Sequence, residues 1–139
     1  GVQRTNMDNY NLYMKDPEGF AWAAEETVRI IKEARFLKGS WVGGLLYYLT
    51  RTGGYDEKFV IRFFEAVCAL GDGDIQPANV LRQRIVKERF SNTKITDSQL
   101  FAFVVIAWNA YVEGKKLTFL RFVPDNQEYP KLKLKKDAG

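Results

Sequence analysis

The chain has 139 residues, of which 46% are apolar and 14% aromatic, and its formal net charge is +4. This composition excludes an intrinsically disordered chain and is typical of one globular domain that can bury a core. Because the sequence has no histidine and a single cysteine, Cys68, it excludes His-dependent catalytic pairs, an internal disulfide and the usual zinc sites.

The positive charge belongs to the C-terminal end. Residues 1–114 carry fourteen basic and fourteen acidic side chains, whereas residues 115–139 carry seven basic and three acidic ones. A basic end can bind phosphates or an acidic partner, or it can be a solvated tail that aids solubility. We expect a helical domain over residues 1–123, with 1–19 as a linker from a further N-terminal domain, and a basic, flexible tail over 124–139.

The N-terminal part of the chain predicts three helices. A short helix near residues 7–14 is followed by a D-P-E-G turn, and apolar residues at helical spacing predict a helix over residues 20–38. Ser40 can cap the next helix, which closes at residues 53–54. The pair Gly43-Gly44 inside it costs about 1 kcal/mol per residue relative to alanine, which indicates that another helix packs closely there.

The next helix is predicted from residue 55 or 56 to Leu70, and it carries an apolar stripe of Phe59, Val60, Phe63, Phe64 and Val67. Cys68 lies at the edge of this stripe. A thiol without a histidine nearby is typical of a small core residue rather than a nucleophile. The following G-D-G-D-I-Q-P lacks the further ligands of a calcium loop, so we predict a turn there and neither a metal nor a cofactor.

The helix predicted over residues 77–90 carries four basic side chains: Arg82, Arg84, Lys87 and Arg89. Arg82 and Arg89 flank one side of the helix, and Arg84 and Lys87 the other. Two interpretations therefore remain open. The helix can lie against a phosphate backbone, or it can be a solvated amphipathic helix whose charges are balanced by Glu88.

The sixth helix, over residues 97–113, is apolar on nearly every side and should form the centre of the fold. Thr96 and Gln99 form a capping box, in which each side chain satisfies the other residue's N–H. Gly114 can end the helix in a left-handed conformation. The apolar stretch is too short to span a bilayer. We predict an all-α, single-domain irregular bundle of five to six helices around this one.

The end of this helix and the residues after it, A-W-N-A-Y-V-E-G-K-K-L-T-F-L-R-F, resemble a known family. In phage and bacterial proteins with an N-terminal ParB-like nuclease-fold domain, the C-terminal helical region ends in a similar pattern. The matching residues are Ala107, Trp108, Asn109, Ala110, Gly114, Leu117, Leu120, Arg121 and Phe122. The resemblance implies a phage- or prophage-type, DNA-associated protein. Because the ParB-like domain and its D-G-Q-H-R-type signature are missing here, it implies no nuclease chemistry for these residues.

The motif residues Trp108, Asn109, Gly114, Leu120 and Arg121 have a structural interpretation and a ligand-binding one. In the structural interpretation Trp108 is core, Asn109 bonds the backbone of residues 115–122, and Arg121 bonds carbonyls or a carboxylate. In the other, they contact a ligand directly.

Two functions follow as hypotheses, and neither is enzymatic. The first is an accessory domain that contacts nucleic acid through the basic helix and through the tail residues Lys131, Lys133, Lys135 and Lys136. The alternative is a protein–protein interaction or oligomerisation module with an apolar patch of Trp41, Tyr47, Tyr48 and Phe119. Without a secretory signal or membrane span, we expect a cytoplasmic location, in the bacterial host if the protein is phage-encoded.

Overall fold

The computed structural model describes residues 14–135 of the chain. They form five α-helices and one π-helical turn, and no strand occurs among them. In chain order these are α1 (Pro17–Ile30), α2 (Gly39–Tyr47), the π turn (Tyr48–Thr52), α3 (Glu57–Val67), α4 (Gln76–Arg89) and α5 (Asp97–Glu113). The predicted all-α fold is confirmed. The helix predicted near residues 7–14 lies, except for its last residue, outside the described part of the chain.

Helix α1 starts and ends earlier than the sequence predicted. Asp16 caps it by accepting a hydrogen bond from the Gly19 N–H at 2.9 Å, and Pro17 occupies the first helical position, where its missing N–H is no loss. The D-P-E-G segment therefore begins a helix. The helix ends at Ile30, not at residue 38, because the chain then turns and inserts Leu37, which is 2% exposed, into the core.

Helices α1 and α2 pack closely, as the paired glycines predicted, but only one of the two glycines explains it. A Cβ added at Gly43 would lie 3.2 Å from Thr27 Oγ1, whereas one at Gly44 would meet nothing within 4 Å. The predicted cap is wrong, because Lys38 occupies the N-cap position without a side-chain hydrogen bond and Ser40 lies inside the first turn.

The apolar stripe of α3 faces the core as predicted. Val60, Phe63, Phe64 and Val67 are completely buried, while Phe59 packs against the core from its edge. Cys68 is 1% exposed, and burial raises the pKa of its thiol. The thiol is therefore a small core residue, as expected.

Helix α5 lies at the centre of the aromatic core, which confirms its predicted position. Trp108 is completely buried and its ring contacts those of Tyr55, Phe59, Phe63, Phe64 and Tyr111 at centroid separations of 5.2 to 6.4 Å. At the other end of α5, only half of the predicted capping box forms: Thr96 accepts from the Gln99 N–H at 3.2 Å. Gly114 ends the helix with a φ of 66°, as predicted.

After Gly114, residues 115–135 cross the helices as an irregular segment that we call the strap. Three side-chain amides hold its backbone, each as donor and acceptor at once. Gln76 pairs with the C=O and N–H of Leu117 (2.6 and 2.7 Å), and Gln99 pairs with those of Val123 (2.8 Å each). This use of the Gln99 amide replaces the second half of the predicted capping box.

The third amide, on Asn109, corrects two predictions. It donates to the Lys131 carbonyl at 3.0 Å and accepts from the Lys133 N–H at 2.9 Å, so its partners lie beyond residues 115–122. The Lys133 carbonyl also accepts from the Trp108 indole at 3.3 Å. Residues 131–135 are therefore bonded to the helical domain, and the boundary predicted at residue 123 does not separate them from it.

Candidate functional site

Arg82, predicted to bind nucleic acid, is a structural residue. It is 5% exposed, and its guanidinium donates to the Ala66 carbonyl at 2.6 Å and to the Asp72 carboxylate. It also donates to Asn79 at 3.3 Å. These bonds fix the loop between α3 and α4 onto α4, and the Arg82 side chain is almost completely buried beneath it. Helical spacing alone does not show that this loop folds back over the arginine.

Arg84 also faces the protein rather than solvent. Its guanidinium lies 4.9 and 5.1 Å from the ring centroids of Phe103 and Phe122, which are both cation–π distances. It donates to the Leu120 carbonyl and, at 2.8 Å, to Glu88. Arg84 thus anchors the strap to α4, and the two donors that it uses here face the protein rather than an open surface.

The remaining two basic residues of α4 are exposed at its C-terminal end. Arg89 donates to the Arg35 carbonyl at 2.7 Å and lies over the Phe36 ring at 5.3 Å. Lys87 is exposed as well, and within the described range 14–135 its side chain forms no hydrogen bond or ion pair. Only this end of the predicted basic helix is open to a ligand.

The predicted tail lysines lie at the opposite end of the domain. Lys131, Lys133 and Lys135 are exposed, and Lys133 forms an ion pair with Glu113, the last residue of α5. The 17 residues of α5 rise about 1.5 Å each, so the first residue of α5 lies about 25 Å from Glu113. Arg89 lies near that first residue, at the far end of the helix from these lysines. The predicted basic residues therefore do not form one surface. Lys136 lies outside the described residues.

A basic cleft opens at the N-terminal end of α5, with a cavity volume of about 440 Å³. Three segments form it: residues 35–38 before α2, the end of α4, and residues 91–100 around the start of α5. Four basic side chains line this basic cleft, and an apolar floor lies beneath them. The basic residues are Arg35, Lys38, Arg89 and Lys94, and the floor comprises Phe36, Leu37, Ile85, Ile95 and Leu100.

The cations of the basic cleft differ in how far they are already neutralised. Lys38 is paired with Asp97 at 2.7 Å, and Glu88 in the cleft wall is paired with Arg84. Within the part of the chain that the structure describes, the side chains of Arg35 and Lys94 make neither a hydrogen bond nor an ion pair. These two are therefore the side chains best placed to receive an anion.

Sequence reasoning did not find the basic cleft. Its cations come from segments that lie up to 59 positions apart and belong to no single helix face. The one available signal was Arg89 at the end of α4.

No protein-family model, curated protein or solved structure matches this chain.

The motif residues behind the family resemblance have mixed locations. Trp108 and Leu120 are buried and Gly114 ends α5, so these three act in the fold. Arg121 is exposed, and its guanidinium lies 4.5 Å from the centroid of the Phe119 ring. Neither the predicted carbonyl bonds nor a carboxylate pair is formed by Arg121 among residues 14–135.

The aromatic patch of the alternative hypothesis is not one exposed surface. Tyr47 is 9% exposed and stacks on Phe20 at 4.3 Å, and Trp41 packs edge-on against Phe101 at 5.4 Å. Only Phe119, at 54%, is largely exposed. The prediction is wrong for Tyr47 because α1 covers it.

Two further observations concern metal ligands and membrane-spanning helices. Across residues 14–135, no three acidic or cysteine side chains converge as ligands of a metal ion would. The described helices are all too short or too polar to cross a membrane.

Proposed function

We propose that this domain binds nucleic acid without catalysing a reaction, and that the basic cleft, rather than the whole basic helix and tail, receives the phosphates. The observation that carries this proposal is the convergence of four cations from three segments on one cavity. Cations that line a groove bind a phosphate backbone because each contact releases condensed counterions. The resemblance to the C-terminal region of proteins with a ParB-like domain also implies a DNA-associated protein.

Single-stranded nucleic acid is the preferred form of this ligand. Phe90 lies between the cleft residues Arg89 and Ser91 and is 86% exposed. An exposed ring beside a cationic groove can stack on a base, and such stacking is worth about 1–3 kcal/mol per base. Bases in a duplex are already stacked on each other, so Phe90 favours a single strand. The cavity volume lies within the range of small-ligand pockets and suits one nucleotide.

The first experiment measures fluorescence anisotropy of labelled single-stranded and duplex oligonucleotides with the full chain over a salt series. We expect binding that weakens with salt, and a weaker dependence in the Arg35→Gln/Lys94→Gln variant. For a single strand, the log–log salt slope should fall by about 0.7 for every phosphate that a substituted cation no longer neutralises. Neither side chain has a partner in the described structure, so the fold should be unaffected.

The matched control is Lys131→Gln/Lys135→Gln, which removes the same charge at the other end of the domain. Equal weakening by this control would show that net charge, not the cleft, causes binding. No binding of the wild-type chain at low salt would refute the proposal.

A second pair of variants tests the stacking role. Phe90→Ala should remove the preference for a single strand, whereas Leu70→Ala, which truncates a residue that is 75% exposed and lies outside the cleft, should not. If both variants keep the preference, Phe90 is not a stacking platform.

The alternative function, a protein interaction module, is supported by a different observation. Phe119 and Phe122 lie on the strap and are 54% and 49% exposed. Exposed aromatic residues are enriched where partners bind. This function would be favoured if the wild-type chain retains a protein partner and the Phe119→Ser variant loses it, while nucleic-acid binding is the same in both.

A further inference from the structure

The distal strap, residues 131–135, is bound to the domain like an extended peptide ligand. Asn109 bonds its backbone at Lys131 and Lys133, and the Tyr55 hydroxyl donates to the Lys133 carbonyl at 2.9 Å. The Lys135 N–H donates to the Gly53 carbonyl at 3.0 Å. We call the surface formed by Gly53, Tyr55, Trp108, Asn109 and Glu113 the strap groove. Because its hydrogen bonds reach main-chain atoms, the strap groove recognises an extended backbone.

The side chains of the distal strap alternate as they do in a β-strand, with a period of two. Leu132 and Leu134 pack against the core. Leu134 lies close to Gly53, because a Cβ added at Gly53 would be 3.1 Å from the Leu134 Cδ2 atom. The lysines between them are exposed, and one of them, Lys133, pairs with Glu113. The alternation K-L-K-L-K therefore fits the strap groove in one register.

The connector between the two parts of the strap, residues 124–130, is longer than the path it covers. Its ends are held at Gln99 and Asn109, ten positions apart on α5, which corresponds to about 15 Å. Eight extended steps could span about 26 Å. The surplus is folded into a turn in which the Gln127 N–H donates to the Pro124 carbonyl at 3.0 Å, and residues 124–129 are exposed.

An open strap groove would be unfavourable. Trp108 is completely buried, and its indole N–H donates to the strap backbone at 3.3 Å. Without the strap this buried donor would lose its protein partner and the aromatic floor would face water. When the connector straightens, an identical segment restores every one of these contacts.

We propose that residues 131–135 of one copy occupy the strap groove of a second copy, with residues 124–130 as the hinge, so that two chains form a dimer by reciprocal exchange. Exchange of an identical element is a low-cost route to dimers because the contacts themselves do not change. This inference is independent of nucleic-acid binding and rests on the second copy having the segment that the groove demonstrably fits.

The test combines two defective chains. Asn109→Ala has a defective strap groove, and Lys133→Pro has a defective strap because it lacks the N–H that donates to Asn109. Neither chain alone has a complete groove and strap. Their equimolar mixture has one complete pair in trans. We expect native mass spectrometry and light scattering to show a dimer for the wild type, weakened self-association for each variant, and a mixed dimer on combination. Circular dichroism checks that each variant is folded.

A peptide measurement keeps the proposal testable if a variant folds poorly. A labelled peptide of residues 129–135, Y-P-K-L-K-L-K, should bind the Lys133→Pro chain. Methylation of the peptide nitrogen at Lys133 should abolish binding, whereas methylation at Lys131, whose N–H has no partner in the described chain, should not.

Two outcomes would overturn the proposal. If the peptide binds but the wild type and the mixture stay monomeric, the second copy is not the occupant of the strap groove. If the peptide does not bind either, the groove accepts its own strap only within one chain, and exchange does not occur.

Discussion

Arg82 and Lys94 show that exposure, rather than residue type, separates structural cations from candidate ligand contacts. Arg82 has the charge expected of a phosphate contact, yet its donors are used by Ala66, Asp72 and Asn79. Lys94 stands alone in a loop, yet it lines the basic cleft. Removing the first should therefore change stability, and removing the second should change binding.

The prediction for Arg82→Lys is a loss of about 2 kcal/mol in the free energy of unfolding, because one ammonium cannot serve the acceptors that the guanidinium fork serves. Urea denaturation measures this loss. Since the charge is kept, nucleic-acid binding by the folded variant should not change. The exposed control Lys87→Gln should stay within about 0.5 kcal/mol of the wild type. A tolerated Arg82→Lys change would contradict the structural role.

Tyr111 makes stability depend on pH at the alkaline end. Burial raises the pKa of its hydroxyl, which donates to the Phe59 carbonyl at 2.7 Å. In the unfolded chain the hydroxyl ionises near its ordinary pKa of about 10, whereas in the folded chain it keeps its proton to higher pH. Its contribution to stability is therefore complete below pH ~10 and is lost as the pH rises through the folded pKa.

The measurement is urea denaturation of the wild type and of Tyr111→Phe on both sides of pH ~10, the ordinary pKa of a tyrosine. The stability advantage of the wild type should shrink in the alkaline buffer, because the variant has no hydroxyl to ionise. The other tyrosines cancel in the comparison. An advantage that is the same in both buffers would show that Tyr111 does not titrate differently in the two states.

At the scale of elements, the ends of helices distinguish local from tertiary control. The end of α5 is local: Gly114 has a φ of 66°, which only glycine adopts readily, and the prediction was correct. The end of α1 is tertiary, because burial of Leu37 stops a helix whose sequence pattern continues to residue 38.

Gly114→Ala should lower the free energy of unfolding by about 1 kcal/mol through this backbone conformation alone, since an added Cβ at Gly114 would meet no atom within 4 Å. The matched control is Gly71→Ala, where the added Cβ also meets nothing within 4 Å but φ is not positive. Thermal unfolding compares the two. Equal effects would remove the conformational explanation.

At the scale of the whole molecule, α5 separates two surfaces. The basic cleft lies at its first turn and the strap groove at its last, about 25 Å apart. Mutations separated by more than about 10 Å without shared partners usually act additively. The cleft and the groove should therefore be energetically independent.

We expect Asn109→Ala to leave nucleic-acid affinity unchanged, and Arg35→Gln/Lys94→Gln to leave the strap in place, as reported by Trp108 fluorescence in chains whose other two tryptophans, Trp22 and Trp41, are replaced by phenylalanine. The combined variant should show the sum of the single stability changes to within about 0.5 kcal/mol. A larger deviation in the combined variant would indicate that the strap and the basic cleft are coupled.

The sequence by itself determined features that depend on neighbours along the chain. The apolar pattern of α5, the stripe of α3 and the glycine after Glu113 predicted an all-α fold with a buried Trp108, because helix periodicity and backbone conformation are local properties. Even the partner class of Asn109, backbone groups, followed from the need to satisfy polar atoms near a core.

Only the tertiary structure decided which polar groups are consumed inside the fold and which remain for a ligand. Three features join residues that are distant in sequence. They are the loop that covers Arg82, the strap whose Leu120 carbonyl accepts from Arg84, and the cleft in which Arg35, Lys38 and Lys94 meet. Residues 131–135 of the strap, predicted as part of a flexible tail, are held by the Asn109 amide on α5. Such pairings depend on how helices pack, and no local pattern of residues encodes them.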